Sequence, residues 1–558
     1  MIILGINYFF EHISVAVIQD GKLLFSAEEE RFSGIKGGKR YSPFTVQFPY
    51  RAMYAALKEL DLQIKDVSGI AISYDKWEHF FGMFSKRWSY YDDYYSLRSL
   101  FHTKRILCSD YEQLQYMSDR MAPKDLKKVP IYSFPHHLSH AASAYCYSGF
   151  EQSLVFVADC CGEKSCTSLY LGTNKGLKKL RSFDIPHSLG ILYSVVTKHL
   201  GFNTFQDEYK VMGLAAYGND TYRKAFSQII TFDETGAYRI NEKNLFALAK
   251  YLGPAREKGD PITQRHMDIA KSLQSILEEI LLNLFRFYRN KTGIRKLCMA
   301  GGIALNCVAN GKIHDAGIFD DIFVQPAASD AGTAMGSAAL LWFQRTGQMQ
   351  ISFDSMYLGT AYGNDEIEQQ LHAAKLNYKK LSDRELAETV ALKLADGKIG
   401  GIFRGRMEAG PRALGNRSVI ASPCPHDMLE RINKMKGREM FRPIAPIVKE
   451  NCFHRFFTGA PNPYMLFTCH VRDEVRTLIP AVTHVDGTSR VQTVIPERNP
   501  FIYDILDLFE RKTGIPVIVN TSLNFRGKPI VENPTDAIGN FYSSSLDFLV
   551  IGNFYLEK

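Results

Sequence analysis

The feature that most constrains the fold of this chain is a run of three short strands that occurs twice. Residues 2–7, 13–19 and 22–27 are predicted strands, and the Asp20-Gly21 turn between the last two is a strong hairpin signal. The same pattern returns at residues 153–159, 165–171 and 177–183, about 150 residues further along the chain. The spacing predicts an internal duplication, although the two copies share little sequence identity.

The second repeat is followed by segments typical of nucleotide-binding α/β domains. Residues 264–289 carry apolar side chains at steps of three or four, the spacing of a long helix. Two units of strand, glycine loop and helix span residues 296–310 and 321–342. Because duplicated sheets with such loops imply two lobes and a cleft, we predict a two-lobed α/β domain over residues 1–350. We expect a linker region at 351–380 and a second α/β domain at 381–558, since 558 residues exceed one core.

Composition and charge narrow the class of protein. The chain is 46% hydrophobic and 23% charged, and its net charge of +8 suits small anionic substrates as well as nucleic acid. Its ten cysteines form no CxxC pair, so neither a zinc ribbon nor a disulfide framework is indicated. No apolar run reaches the ~20 residues of a membrane helix, and the N-terminus lacks the features of a signal peptide. We therefore expect a cytoplasmic protein without a membrane partner.

A histidine-rich helix start carries the first candidate site. His136 and His140 are four residues apart, so on a helix both imidazoles face one side and can bind one metal ion. Asp159 and Asp330, at the ends of two predicted strands, are the expected completing ligands. Such a set of nitrogen and oxygen ligands favours iron, manganese or magnesium over thiolate-bound metals. The alternative is a histidine pair that only caps the helix and forms hydrogen bonds.

Glycine-rich loops suggest a nucleotide-binding site. The segments AGGIALN and SDAGTAMG let phosphates approach backbone N–H groups at a helix start, although neither is a Walker motif. In DEYKVMGL, the lysine could neutralise a phosphate with Glu208 orienting it, or form an ordinary exposed ion pair. The glycines could equally serve tight packing. The candidate nucleotide-binding residues are Lys210, Gly213, Gly301, Gly302, Asn306, Asp330 and Gly332.

Basic residues concentrated between positions 404 and 442 suggest a phosphate pocket. They are interleaved with Gly, Pro and apolar residues in RGRMEAGPRALGNRS and INKMKGREMFRP, unlike a solvated helix face. Guanidinium groups suit a doubly charged phosphate, and the scarcity of aromatic residues in the run disfavours RNA. Two later segments, HVDGTSR and NTSLNFR, each place hydroxyls and amides beside an arginine. The basic residues of the run are Arg404, Arg406, Arg412, Arg417, Arg431, Lys434, Lys436, Arg438 and Arg442.

Taken together, these segments resemble the O-carbamoyltransferase family of the nodulation-factor, tobramycin and cephamycin type. The shared strings run from end to end: AEEERF, HHLSHA, EYKVMGLAAYG, AGGIALNC, GPRALGNRS, REMFRPIAP, HVDGTSRVQ and NTSLNFRGKPIVENP. The resemblance implies a duplicated N-terminal domain of the actin and sugar-kinase type, similar to the tRNA threonylcarbamoyl transferase, and a YrdC-like C-terminal domain. In such enzymes the C-terminal domain combines carbamoyl phosphate with ATP to give carbamoyl-adenylate and pyrophosphate. The N-terminal domain then transfers the carbamoyl group to a hydroxyl and releases AMP.

The resemblance also implies roles for the candidate ligands. A divalent metal, with Fe²⁺ favoured over Mn²⁺ or Mg²⁺, would bind the adenylate phosphate. Its ligands would be His136, His140, Asp159 and Asp330. Carbamoyl phosphate would be bound by Arg412, Lys436 or Arg438, Arg490, Asn520 and Arg526, with Arg412 and Arg490 counted as catalytic.

Two further catalytic residues are implied near the N-terminus. Lys36, just after AEEERF, would lie near the transfer site, although a solvated lysine is the simpler reading. His12 would be the general base that deprotonates the acceptor. The family usually has His-Asp-Ala-Ser where this chain has Glu-His-Ile-Ser, so the histidine is shifted by one position. The family's Asp-Gly-x-Gly-Glu is here Asp-Cys-Cys-Gly-Glu, starting at Asp159.

The acceptor is the part of the reaction that the sequence identifies least. Residues 77–95 form an aromatic stretch with two of the three tryptophans, which suits a small-molecule sugar or polycyclic acceptor. The same stretch suits packing on itself or on a partner subunit, so a homodimer is one option, while nucleic acid is disfavoured as a partner. Three other functions stay open: a carbamoyl enzyme acting on tRNA or a maturation protein, an actin-like ATPase or kinase, and a nucleotide-dependent regulatory protein.

Overall fold

The computed structural model describes residues 1–37, 48–75, 78 and 129–558. The described chain divides into two compact units, Met1–Phe353 and Asp354–Lys558. The aromatic stretch considered for the acceptor lies outside the described residues, apart from Glu78.

The N-terminal unit contains two five-stranded sheets with the same topology. In each, three antiparallel strands form a meander and two further strands pair in parallel on the other side of its first strand, giving the orders β3-β2-β1-β4-β5 and β8-β7-β6-β11-β12. The predicted duplication is therefore confirmed. The strands are β1 (Ile2–Asn7), β2 (Ser14–Gln19), β3 (Lys22–Glu28), β4 (Val67–Ile72), β5 (Ile131–Ser133), β6 (Gln152–Ala158), β7 (Ser165–Thr173), β8 (Gly176–Asp184), β9 (Ile230–Phe232), β10 (Tyr238–Ile240), β11 (Lys296–Ala300) and β12 (Asp321–Val324).

The described helices of this unit are α1 (Glu29–Ser33), α2 (Tyr50–Glu59), α3 (His136–Tyr145), α4 (Leu189–His199), α5 (Glu208–Leu214), α6 (Arg223–Phe226), α7 (Glu242–Leu245), α8 (Ala249–Leu252), α9 (Gln264–Thr292), α10 (Cys307–Asp315) and α11 (Thr333–Thr346). Helix α9 follows the predicted apolar spacing and ends at Gly293, whose left-handed backbone places its N–H on the carbonyl of Arg289.

Helices α3 and α11 cross between the two halves. Helix α3 follows the first sheet in the chain but packs against β6 and β11 of the second sheet. Helix α11 follows the second sheet but packs against β1, β2 and β4 of the first. The two helices also pack against each other, because Gly336 has no side chain to separate their backbones.

The C-terminal unit is also α/β, as predicted. Its main sheet has the order β13-β23-β22-β14-β15-β21-β16-β20, and β17-β18-β19 form a small second sheet. The strands are β13 (Lys379–Lys380), β14 (Gly400–Phe403), β15 (Arg417–Ala421), β16 (Ala445–Lys449), β17 (Phe457–Thr458), β18 (Cys469–Val471), β19 (Thr488–Ser489), β20 (Gln492–Val494), β21 (Val517–Ser522), β22 (Phe548–Ile551) and β23 (Phe554–Glu557). The helices are α12 (Asn364–Ala373), α13 (Asp383–Ala395), α14 (Met428–Met435), α15 (Phe453–Phe456), α16 (Pro500–Thr513) and α17 (Pro534–Ser543).

Candidate active site

Helix α3 presents two imidazoles to one point in the N-terminal unit. His136 is its first residue and His140 lies one turn later, so both rings share a face and their Nε2 atoms are 3.1 Å apart. Both side chains are fully buried. The helix start is anchored by the buried carboxylate of Glu163, which accepts the His136 N–H at 3.0 Å.

Two carboxylates complete the cluster from the ends of other elements. Asp159 directly follows β6, and its Oδ2 lies 3.1 Å from His140 Nε2. Asp330 begins the turn that leads into α11, and its Oδ1 lies 3.4 Å from His140 Nε2 and 3.5 Å from His136 Nε2. Backbone N–H groups orient both side chains, since Cys160 donates to Asp159 Oδ1 and Glu11 donates to Asp330 Oδ2. The structure thus brings together the four residues that the sequence suggested as metal ligands.

The geometry of these four residues suits one divalent cation. Their ligand atoms all lie within 4.8 Å of one another. Ligands ~2.1 Å from an ion at right angles are about 3.0 Å apart, close to the separations seen here. Burial lowers the pKa of His136, but Asp330 and Asp159 outweigh it and raise the pKa to about 10. The two carboxylates therefore favour a positive charge at this site. A divalent ion would supply that charge while both imidazoles stay neutral.

His12 lies in the β1–β2 loop beside this cluster. Its backbone is left-handed, with φ of +48°, an uncommon conformation for a residue other than glycine. Burial lowers the pKa of His12, but the carboxylates of Glu11, Glu30 and Asp330 raise it above the usual value. Lys36 lies with its Nζ 5.9 Å from the centre of the Tyr209 ring on α5.

The glycines of the nucleotide-binding prediction sit where the backbone is crowded. Gly301 has φ of +89°, and a Cβ there would lie 2.7 Å from the carbonyl carbon of Ala158. A Cβ on Gly302 would lie 3.1 Å from Asp159 Oδ1, and Gly332 packs against the Ala327 carbonyl. These contacts favour the packing interpretation of the loops, while placing Gly301 and Gly302 beside a metal-ligand candidate.

Other residues of the nucleotide prediction are engaged within the protein. The Asn306 side chain caps α10 by accepting the Ala309 N–H at 3.0 Å, and its amide exchanges hydrogen bonds with Gln274. The sequence suggested that Glu208 orients Lys210. In the structure, Lys210 Nζ instead lies 3.1 Å from Asp207 Oδ1.

The Glu208 carboxylate instead has two other hydrogen-bond partners. It accepts hydrogen bonds from the Ser194 hydroxyl and the Phe205 N–H, both at 2.6 Å. Gly213 lies within α5, one turn after Tyr209.

In the C-terminal unit, five of the six predicted carbamoyl phosphate residues lie around the end of β21. Asn520 Nδ2 donates to the carbonyl of Ala413, next to Arg412, and to Gln492 Oε1. Its Oδ1 is buried without a hydrogen-bond partner among the described residues. Arg438 Nη2 donates to the Thr521 hydroxyl at 2.8 Å.

The remaining members of this set lie on adjoining loops. Lys436 Nζ is surrounded by the Ser522 carbonyl, the Asn524 carbonyl and Asn524 Oδ1, so it anchors the loop after β21. Burial, together with Arg438, lowers the pKa of Lys436 well below its usual value. The Arg526 side chain packs beside Gly437, where a Cβ would lie 3.1 Å from its Cδ.

Arg490 lies between β19 and β20, and its positive charge affects the pKa of the neighbouring His484. Burial, with a further contribution from Arg490, lowers the pKa of His484 to about 4. The His484 imidazole is held by the Thr488 hydroxyl at Nδ1, 3.2 Å away.

Two residues support the GPRALGNRS loop, and the sequence analysis assigned neither of them a specific role. Glu408 is fully buried, and its Oε1 accepts backbone N–H bonds from Leu414, Asn416 and Arg417. Arg417 is also fully buried, and its guanidinium donates to the Arg404 and Gly405 carbonyls. The signal available in the sequence was an acid four residues before Arg412 in a turn-rich segment, which alone does not indicate such a role.

Comparisons with known proteins identify the family of the chain. The model for the carbamoyltransferase N-terminus matches residues 2–339, and the model for the carbamoyltransferase C-terminus matches residues 391–558. The chain belongs to the carbamoyltransferase family. It is 37% identical to the nodulation protein NolNO of Sinorhizobium fredii over 565 residues, covering 99% of this chain and 80% of that protein.

Further relatives agree with this assignment. The nodulation protein NolO of Bradyrhizobium diazoefficiens is 41% identical over 434 residues, which cover 76% of this chain and 78% of that protein. Among solved structures, full-length HypF in its phosphate- and nucleotide-bound form is 12% identical with a TM-score of 0.33, covering 62% of this chain and 56% of that chain. A similarity this weak supports no conclusion about function. Within the part of the chain that the structure describes, no helix is long and apolar enough to cross a membrane.

Proposed function

We propose that this carbamoyltransferase is ATP-dependent and acts in two steps. In the first, carbamoyl phosphate and ATP give carbamoyl-adenylate and pyrophosphate in the C-terminal unit, with one water consumed and one phosphate released. In the second, the N-terminal unit transfers the carbamoyl group to a hydroxyl of a small molecule and AMP leaves. The observation that carries the proposal is the buried cluster of His136, His140, Asp159 and Asp330 in a chain of this family.

The C-terminal unit offers cationic side chains suited to a phosphorylated substrate. Arg412, Arg438 and Arg526 lie on loops that adjoin β21, and Arg490 lies between β19 and β20. Guanidinium groups form paired hydrogen bonds with phosphate oxygens. We assign phosphate binding to these arginines and recognition of the carbamoyl amide to the buried Asn520 Oδ1. Lys436 would act through the loop that it anchors.

The N-terminal unit offers a base and a cation site for the transfer step. When bound by the four-residue cluster, a divalent ion, Fe²⁺ before Mn²⁺ or Mg²⁺, would supply Lewis-acid stabilisation of the leaving phosphate. His12 would accept the proton of the acceptor hydroxyl, because nearby carboxylates strengthen it as a base. Lys36 and Lys210 would neutralise the remaining phosphate charge. We place this reaction in the cytoplasm, with a small-molecule acceptor rather than a nucleic acid.

The first test is pyrophosphate release from ATP by the full chain, with and without carbamoyl phosphate and without an acceptor. We expect release that depends on carbamoyl phosphate. Arg412→Ala should abolish it, whereas Arg384→Ala, at a position on α13 where the side chain is 78% exposed, should not. Release of ADP regardless of carbamoyl phosphate would contradict the proposal and indicate an ATPase.

A second test separates the two steps. His136→Ala should keep the release of pyrophosphate that depends on carbamoyl phosphate but lose carbamoyl transfer to added hydroxyl acceptors. Equal loss of both steps in this variant would show that the metal cluster does not belong to the transfer step alone.

A further inference from the structure

Asn7, the last residue of β1, is completely buried and turns its amide toward the β1–β2 loop. Its Nδ2 donates to two consecutive carbonyls of that loop, Glu11 at 2.7 Å and His12 at 3.2 Å. Its Oδ1 accepts from the Ser73 hydroxyl at 3.3 Å, which fixes the orientation of the amide from the other side. One side chain therefore holds the turn in which His12 adopts its left-handed backbone.

The same loop touches two of the four candidate metal ligands. The Phe10 ring packs on the His136 ring with centroids 3.8 Å apart. The next residue, Glu11, donates its N–H to Asp330 Oδ2 at 2.9 Å. The Nε2 of His136 faces His140 and Asp330, whereas its Nδ1 has no hydrogen-bond partner among the described residues. Packing by Phe10 therefore supports the face of this ring where hydrogen bonds do not.

We propose that Asn7 is a positioning residue that sets the metal ligands and His12 in one fixed arrangement. Asn7 acts through Phe10, Glu11 and His12 and touches none of the four ligands itself. Losing its two donated hydrogen bonds would free a turn whose backbone is otherwise disfavoured, because a non-glycine residue in the left-handed region needs support from its surroundings. This inference rests on the proposed function, since it concerns the site assigned there to carbamoyl transfer.

The test is Asn7→Asp in the full chain, with Mn²⁺ alone as the probe in calorimetric titration. Aspartate keeps the size of the side chain and an acceptor for Ser73 but has no N–H to donate. We expect the Mn²⁺ affinity to fall roughly 10- to 100-fold, the usual effect of removing a group that orients a ligand. In the transfer assay, the turnover rate should fall, while pyrophosphate release by the C-terminal unit stays at the wild-type rate.

Two further variants keep the test decisive. Phe10→Leu removes the ring over His136 without touching Asn7, and it should lower Mn²⁺ affinity in the same direction even if Asn7→Asp does not fold. Ser68→Ala removes a hydrogen bond at the other end of β1 and should bind Mn²⁺ as the wild type does. If a folded Asn7→Asp variant or the Phe10→Leu variant bound Mn²⁺ as tightly as the wild type, this inference would be wrong while the proposed function would stand. No Mn²⁺ binding by the wild-type chain would overturn the metal role in the proposed function as well.

Discussion

The crossing of α3 and α11 predicts a large effect for a single methyl group at Gly336. A Cβ at this position would lie 2.7 Å from the carbonyl carbon of Ser139 and 2.9 Å from the amide nitrogen of Ser143, with the Ser139 oxygen closer still. All three atoms belong to the backbone of α3, so no side-chain rotation can relieve the clash. Gly336→Ala must therefore push the two helices apart.

The size of the shift can be worked out from these distances. Ordinary contacts of a Cβ begin at 3.4 Å, so the Ser139 carbonyl carbon would have to move by about 0.7 Å, and the closer Ser139 oxygen by more. Even the smaller of these shifts is well beyond the ~0.2 Å that a metal site tolerates in its ligand distances. Helix α3 carries His136 and His140, whereas Asp330 precedes α11, so the shift pulls ligands apart. We expect at least a roughly tenfold loss of Mn²⁺ affinity. Overpacking should also cost about 1–3 kcal/mol of stability.

Two measurements on the full chain check this prediction. Calorimetric titration with Mn²⁺ gives the affinity, and thermal unfolding without metal gives the loss of stability. Gly363→Ala is the matched control, because its φ is −71° and a Cβ there meets no atom within 4 Å. If Gly336→Ala matched the wild type in both measurements, the close crossing of the helices would not control the site.

Three other predictions concern buried ionisable side chains and the stability of the fold. Burial raises the pKa of Glu29 to about 7, so the native state keeps a proton that the unfolded state releases above pH 4.5. Stability should then fall by up to about 3 kcal/mol as the pH rises to 7, and urea titrations of Glu29→Gln should lack this loss. Burial lowers the pKa of His199 to about 4, so stability should fall as the pH drops from 6.5 to 4, and His199→Gln should flatten that dependence. Glu408→Ala leaves three N–H groups unpaired, two of them buried, and should lower the free energy of unfolding in urea by about 3 kcal/mol. It should also lose pyrophosphate release, and Glu408→Gln should be milder in both assays.

Local patterns were enough to predict the duplicated sheets and the grouping of the four candidate metal ligands. The apolar runs of the strands and the turn between the last two are properties of neighbouring residues, and a similar order of three strands recurs at β6 to β8. The spacing of His136 and His140 fixes their shared face through helix geometry alone. Asp159 and Asp330 follow strand ends, and such residues gather at one edge of parallel sheets.

Contacts between distant segments could not be predicted in the same way. The choice of Asp207 over Glu208 beside Lys210 depends on a loop in which Phe205 has a positive φ and donates its N–H to Glu208. The role of Asn306 depends on Gln274, which approaches it from the buried face of α9. Neither contact leaves a periodic or local signal, because each requires the final packing of separate helices.

The duplication itself explains why the metal cluster lies where it does. His136 begins α3 and Asp330 stands just before α11, and these are the two helices that cross between the halves. The crossing brings both helix starts to one point, beside the end of β6 and the loop after β1. A bound ion would therefore join the two halves through ligands from each, and its affinity would report their relative position. Binding should in turn stabilise the N-terminal unit in proportion to the logarithm of the metal concentration once that exceeds the Kd.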